Sequence, residues 1–294
     1  MKRIAKILAG AAVGAFVGTS AMAQTIVVGG KDFTEQLLLT EITAQLLEAN
    51  GFEVDRRNGM GSQVVRDAQV NGQIDLYWEY TGTSLVNYNN VTEPMNAEDT
   101  YAEVKELDAA VGLTWLDPSA ANNTYALAVR NENERTAAVQ TLSDLAASYN
   151  ASAGLVMAVN AEFPQRPDGL IGLQEAYGFE TTRADLRPME SGLTYQALNE
   201  NQVDIALVFA TDGRIEAFNF RVLEDDKGFF PNYAIAPVVR TETLEANPGL
   251  ADPLNAMSAQ LTDAVMQRLN AEVDVNKKSI EEVAAAFLSD NGMI

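Results

Sequence analysis

Neither cysteine nor histidine occurs in the 294 residues of this chain. The first absence removes a thiolate nucleophile, most zinc sites and any lipid carried on a cysteine. The second removes the side chain that usually acts as a base near neutral pH, and with it any Ser-His-Asp relay. Basic residues are scarce as well, 20 against 41 acidic ones, for a net charge of −21. So acidic a surface argues against nucleic acid as a partner and serves mainly solubility. Screening within about 8 Å at physiological salt keeps it from setting selectivity for a solute. Carboxylate pairs remain available for acid–base chemistry, but 41 acidic residues produce many accidental pairs, so pairing alone marks no active site. No catalytic residue, metal site or cofactor is expected.

Long apolar runs are also lacking. Ile7 to Val17 is broken by Gly10 and Gly14 and is shorter than the ~20 residues that a bilayer crossing needs. With Lys2, Arg3 and Lys6 ahead of it and the small-x-small stretch Ala21-Met22-Ala23 behind it, residues 1–23 read as a secretory signal. The mature chain is then expected to start near Gln24, with 17 basic and 41 acidic residues. It would be a free periplasmic monomer with no lipid anchor. Its roughly 270 residues suit two lobes better than one.

The pattern along the chain alternates strands and helices. Thr25 to Gly29 is a short apolar strand, and Thr34 can cap a helix carrying Leu38, Leu39, Ile42, Leu46 and Leu47 at helical spacing, stopped by Asn50-Gly51. A strand from Phe52 to Arg57, a helix from Ser62 to Val70 and a strand from Ile74 to Trp78 complete a β-α-β-α-β unit, the signature of a mainly parallel sheet. The order repeats after residue 150: strand Gly154 to Val159, helix Asp168 to Tyr177 ended by Gly178, helix Leu193 to Asn199, strand Val203 to Phe209. Gln73-Ile74-Asp75-Leu76 echoes Gln202-Val203-Asp204-Ile205, and the same offset carries Tyr80 onto Phe209. Two apolar segments without helical periodicity, Ala126 to Arg130 and Ala234 to Val239, read as the crossing strands of a hinge. The expected fold is α/β with two lobes, each a mainly parallel sheet flanked by helices: lobe 1 from 24–128, lobe 2 from 129–232, and a return to lobe 1 over 233–294, completed by helices at Pro253 to Leu269 and Ser279 to Leu288.

Two segments sit where open α/β sheets place their ligand contacts, at strand ends leading into polar turns: Gly30-Lys31-Asp32-Phe33-Thr34-Glu35-Gln36, and Glu79-Tyr80-Thr81-Gly82-Thr83. A third, Gly59-Met60-Gly61-Ser62-Gln63-Val64, has Val64 where a dinucleotide loop wants its third glycine; it suits a tight turn whose helix N–H groups could meet a small anion or carboxylate. Tyr80, Tyr125, Phe209 and Tyr233 are the aromatics at the strand ends and hinge. A quaternary ammonium has no N–H to donate, so its selection needs aromatic faces. Each desolvated face contributes up to ~2 kcal/mol, a useful share of the roughly 8 kcal/mol behind micromolar affinity. Tyr77 and Trp78 are expected to be core residues.

The first two segments resemble the substrate-binding proteins of ABC importers for glycine betaine, choline and related osmoprotectants, in which a Lys-x-Phe-Thr-Glu-Gln and a Glu-Tyr-Thr-Gly-Thr segment lie on the ligand cleft. The resemblance implies a tyrosine cage: Tyr80, Tyr125 and Tyr233 match its positions, and Phe209, before Ala210-Thr211-Asp212, keeps a ring but lacks the phenol. It also implies that Lys31, Thr83 and Arg166 hold the ligand's carboxylate, which favours a zwitterion such as glycine betaine over choline. Salt bridges to Asp32, Glu35 or Asp168 are the alternative use of those two cations. The expected function is periplasmic capture of a small zwitterionic or quaternary ammonium solute by lobe closure and delivery to a membrane permease and its ATPase, with no catalysis. Choline, carnitine, a sulfonium osmolyte or a larger betaine keeps the fold and changes the solute; an exported enzyme or a sensor subunit changes the role.

Overall fold

The computed structural model describes residues 25–294; the expected secretory signal at 1–23 lies outside the described residues. The apolar run Ile26–Lys31 forms β1 and Thr34–Ala49 forms α1, whose Leu38, Leu39, Ile42, Leu46 and Leu47 are all buried. Phe33 rather than Thr34 is the N-cap residue; the Thr34 hydroxyl donates instead to Asp274 at 2.9 Å. β2 (Val54–Met60), α2 (Ser62–Val70) and β3 (Leu76–Tyr80) follow. β2 extends past the expected end at Arg57 because it is an edge strand paired only with β1, so half-exposed polar residues are tolerated there.

The remaining strands are β4 (Leu113–Trp115), β5 (Tyr125–Arg130), β6 (Met157–Val159), β7 (Leu186–Pro188), β8 (Ile205–Phe209), β9 (Phe220–Val222) and β10 (Ile235–Arg240). They build two five-stranded sheets, ordered β2-β1-β3-β10-β4 and β7-β6-β8-β5-β9. In each, three parallel strands are followed by an antiparallel fourth and then a fifth antiparallel to it. The sheets are thus two copies of one plan with one exchange: the strand that carries the chain into the second lobe is fourth in the second sheet, and the returning strand is fourth in the first.

The sequence echo has a physical basis in this plan. β3 and β8 hold the same place in their sheets, and the aspartates just before them do the same work. Asp75 Oδ2 accepts the Val27 N–H at 2.8 Å and Asp204 Oδ2 accepts the Val156 N–H at 3.0 Å, each carboxylate tying its strand to the neighbouring segment. Tyr80 and Phe209 consequently end equivalent strands.

The lobes meet at a narrow crossing. Asn122 and Ala234 form an antiparallel bridge, the Tyr233 N–H donates to Asn122 Oδ1 at 2.8 Å, and the Asn123 N–H donates to the Tyr233 carbonyl at 3.2 Å. The crossing therefore lies at 122–124, earlier than the expected boundary at 128, because all of β5 is paired within the second sheet. Gly82 lies against this crossing: a Cβ there would stand 2.8 Å from the Asn232 carbonyl oxygen and 2.9 Å from the Tyr233 ring, so only glycine lets the turn after β3 approach so closely. The chain returns to the first lobe, where helices Asp263–Asp274 and Ile280–Asp290 pack on α1. The stretch expected as one helix over Pro253 to Leu269 is two, Ala251–Ser258 and Asp263–Asp274, because Thr262 caps a new N-terminus by accepting the Val265 N–H. Tyr77 and Trp78 are core residues, at most 1 % exposed.

Candidate functional site

Both sheets turn the C-terminal ends of their parallel strands toward the crossing, and a cleft of about 460 Å³ lies between them. All seven residues expected at the site line it: Lys31 from the end of β1, Tyr80 and Thr83 from the end of β3 and its turn, Arg166 from the loop after β6, Phe209 from the end of β8, Tyr125 from the start of β5 and Tyr233 from the returning side of the crossing.

Tyr125 is the centre of the aromatic wall. Its ring centroid is 5.4 Å from Phe209 and 5.8 Å from Tyr233, the latter edge-on. Phe33, which the sequence reading did not single out although it sits inside the Lys-x-Phe segment, stacks on Phe209 at 5.3 Å with an interplanar angle of 4° and approaches Tyr80 at 6.2 Å. Five rings, each from a different segment of the chain, therefore line one cleft. Burial pushes the phenols of Tyr80, Tyr125 and Tyr233 up, so all three are neutral at physiological pH and each keeps its proton to donate. Tyr233 donates to Asp168 Oδ2 at 2.8 Å and Tyr80 to Glu35 Oε1 at 2.8 Å.

The two cations are already partnered. Lys31 Nζ lies 2.6 Å from Glu79 Oε1, with both residues almost wholly buried. Glu79, which the sequence reading did not propose, also accepts from Tyr77, Tyr88 and the Tyr80 N–H. Arg166 donates to both oxygens of Asp168, from Nε at 2.8 Å and Nη2 at 2.6 Å, and its Nη2 reaches Thr83 Oγ1 across the cleft at 3.1 Å. Of the expected alternatives, Asp168 takes Arg166 and neither Asp32 nor Glu35 takes Lys31. Each cation also sits over a ring, Lys31 at 4.8 Å from the Tyr80 centroid and the Arg166 guanidinium at 5.2 Å from that of Tyr125. Donors remain on both: Glu79 occupies one of three lysine N–H bonds, and Arg166 Nη1 has only Glu162, at 3.6 Å.

Three further carboxylates face the cleft, Asp32 from the first lobe and Glu162 and Glu190 from the second. Glu162 fills the anion position anticipated at the Gly59–Ser62 turn: its Oε1 accepts the Ser62 N–H at 2.8 Å at the start of α2, joining the two lobes. Burial opposes its charge, but the Ser62 N–H and hydroxyl, with Lys31 and Arg166, hold its carboxyl below the usual range. Because the value is depressed in the bonded form, the contact stabilises that form fully above the ordinary carboxylate pKa and loses this contribution as pH falls to the depressed value. Urea titrations of wild type and Glu162→Gln are expected to differ by no more than about 1 kcal/mol at pH 7 and to converge only in acid, below the ordinary carboxylate range. A gap that persists under acid conditions would assign the contact to packing instead.

An α/β molecule of two similar lobes with a polar and aromatic cleft at its crossing is a two-lobe solute-binding protein. The profile of the family described as the substrate binding domain of ABC-type glycine betaine transport systems matches residues 24–290, and the chain belongs to that family. It is 44 % identical to a glycine-betaine-binding protein of Pseudomonas aeruginosa, over 100 % of this chain and 96 % of the relative. The solved apo form of YehZ from Escherichia coli is 33 % identical and superposes with a TM-score of 0.66, covering 92 % of this chain and 100 % of that one. A solved glycine betaine/carnitine/choline ABC transporter structure gives a TM-score of 0.72 at 29 % identity, covering 91 % of this chain and 99 % of that one. The chain is therefore a substrate-binding component of an ABC transporter and not an enzyme. Among the described residues, no helix is long and apolar enough to cross a membrane.

Proposed function

We propose that this protein captures glycine betaine in the periplasm, as a monomer, and delivers it to an inner-membrane permease and its ATPase. The observation that carries this reading is the convergence of Tyr80, Tyr125, Phe209 and Tyr233, with Phe33, on one cleft. Neutral aromatic faces attract diffuse positive charge without demanding a hydrogen bond, which is what a trimethylammonium group requires. The rings come from both lobes and from the crossing, so a single head group touches all of them only when the lobes are closed, and binding energy drives the closure. The residual donors of Lys31 and Arg166, with the Thr83 hydroxyl, suit the carboxylate of the ligand.

A second reading, a cationic ligand such as choline, is favoured by one feature. Lys31 and Arg166 are neutralised by Glu79 and Asp168, while Asp32, Glu162 and Glu190 add negative charge to the same cleft. Calorimetric titration of refolded, ligand-free protein with glycine betaine, choline and a betaine isostere lacking both charges separates the two. Tight binding of glycine betaine, with choline bound measurably but far more weakly, is the expected result. Equal binding of choline would reduce the cation pair to a structural role, and no heat from any of the three would remove the quaternary ammonium assignment.

A further inference from the structure

Glu35 is 2 % exposed, and no basic residue among those described forms an ion pair with it. Isolated carboxylates are rarely buried unless something compensates the charge. Here the compensation is four side-chain donors, two on each oxygen: Tyr80 Oη at 2.8 Å and Asn123 Nδ2 at 2.7 Å on Oε1, and the Thr211 hydroxyl and Asn270 Nδ2 at 3.3 Å on Oε2. The amide nitrogens can only donate, so the environment is built for the ionised form. The donors come from the end of β3, the crossing, the segment after β8 and the helix Asp263–Asp274. Burial pushes the Glu35 carboxyl up and the four donors work against that shift, so it is hydrogen bonds, and no cation among the described residues, that support a negative charge one phenol away from the cleft. The cleft carboxylates Asp32 and Glu190 are exposed to water, and the other buried or half-buried carboxylates near these rings have cations: Glu79 has Lys31, Asp168 has Arg166, and Asp212 and Asp274 have Arg214.

Resting on the reading that a quaternary ammonium group enters the ring-lined cleft, we propose that Glu35 is the buried counter-charge of that group, acting through the hydroxyl of Tyr80. Its hydrogen bond orients the Tyr80 ring, which Gln36 Nε2 also holds at 3.0 Å, and draws the phenol proton toward the carboxylate, making the ring face more negative. With water excluded from the closed cleft, the charge behind the ring is weakly screened and reaches the cation on its face. Glu35 does not touch the ligand; it is a positioning residue that makes a ring cavity prefer a cation to an uncharged group of the same shape. Through Asn123 and Thr211 it also links that preference to the crossing and to the second lobe.

The test compares choline with its uncharged tert-butyl analogue, 3,3-dimethylbutan-1-ol, by titration calorimetry on wild type, Glu35→Gln, Glu35→Asp and Tyr80→Phe. The ratio of the two Kd values is the readout, since damage to cavity shape weakens both ligands together. Glu35→Gln is expected to reduce the preference for choline roughly tenfold with little change for the alcohol, and Glu35→Asp to recover part of it. Should Glu35→Gln fail to fold, Tyr80→Phe, which keeps the ring and removes the linking hydroxyl, is expected to lose several-fold of the same preference. An unchanged ratio in the variants that fold would overturn the counter-charge while leaving the ring-lined cleft as the binding site. Failure of wild type to bind any quaternary ammonium ligand would overturn both.

Discussion

Replacing Tyr125 with leucine is expected to weaken glycine betaine binding about thirtyfold while leaving a folded protein. The ring stands at the start of β5, against Phe209, Tyr233 and Phe163, and it is the aromatic most nearly surrounded by other aromatics in the cleft. A desolvated cation–π face is worth up to ~2 kcal/mol, which corresponds to that factor in Kd. Leucine retains apolar volume, so the cavity penalty of about 3–5 kcal/mol that an alanine would add for a buried aromatic is largely avoided. Calorimetry at a temperature well below the midpoint of thermal unfolding separates the two effects. A leucine variant that binds as tightly as wild type would return Tyr125 to a packing role, and the cleft would then recognise its ligand by shape.

The second large effect is expected in stability rather than binding. Glu79→Gln leaves the Lys31 ammonium, 2 % exposed, without its partner, and removing one half of a buried pair typically costs about 3–5 kcal/mol. Burial already pushes Lys31 below its ordinary value, with Glu79 working against that shift. In the variant, the unfolded chain binds the lysine proton more readily than the folded one. Stability then rises with pH, so the deficit is largest at neutral pH and shrinks as the pH approaches the ordinary lysine value of about 10.4. Urea unfolding of both proteins at about pH 7 and about pH 9.5 measures the deficit and its sign. A neutral-pH loss below about 1 kcal/mol would mean that Lys31 finds water or another acceptor, and the pair would not be the structural element that its geometry indicates.

The fold and the site were legible in the sequence to different depths. Alternating elements follow from local spacing and punctuation: Asn50-Gly51 stops α1, and Gly178, at φ 71°, ends its helix in the left-handed conformation that glycine adopts freely. The echo around Asp75 and Asp204 was readable because two strands with the same place in the same plan need the same carboxylate. The lobe boundary was misplaced because an apolar run such as Ala126 to Arg130 reports burial, and burial is the same in either sheet; only the pairing of β5 with β8 and β9 shows which sheet it joins. Phe33 was passed over because one residue beyond a strand end has no periodicity to mark which way it faces.

What the sequence determined by itself is therefore what nearest neighbours along the chain can decide. That includes the α/β order, the duplication, and the placing of aromatic and cationic residues at strand ends, where turn chemistry puts them at the surface that sheets use for ligands. Only the tertiary structure decided who meets whom. Lys31 pairs with Glu79 rather than Asp32, Glu162 caps α2 from the other lobe, and Glu35 has no cation partner among the described residues. Among 41 acidic residues, sequence separation carries no information about which carboxylate a buried charge will find. That choice is made when two sheets close on one crossing, and it depends on distances of 3 Å or so between polar groups more than forty residues apart.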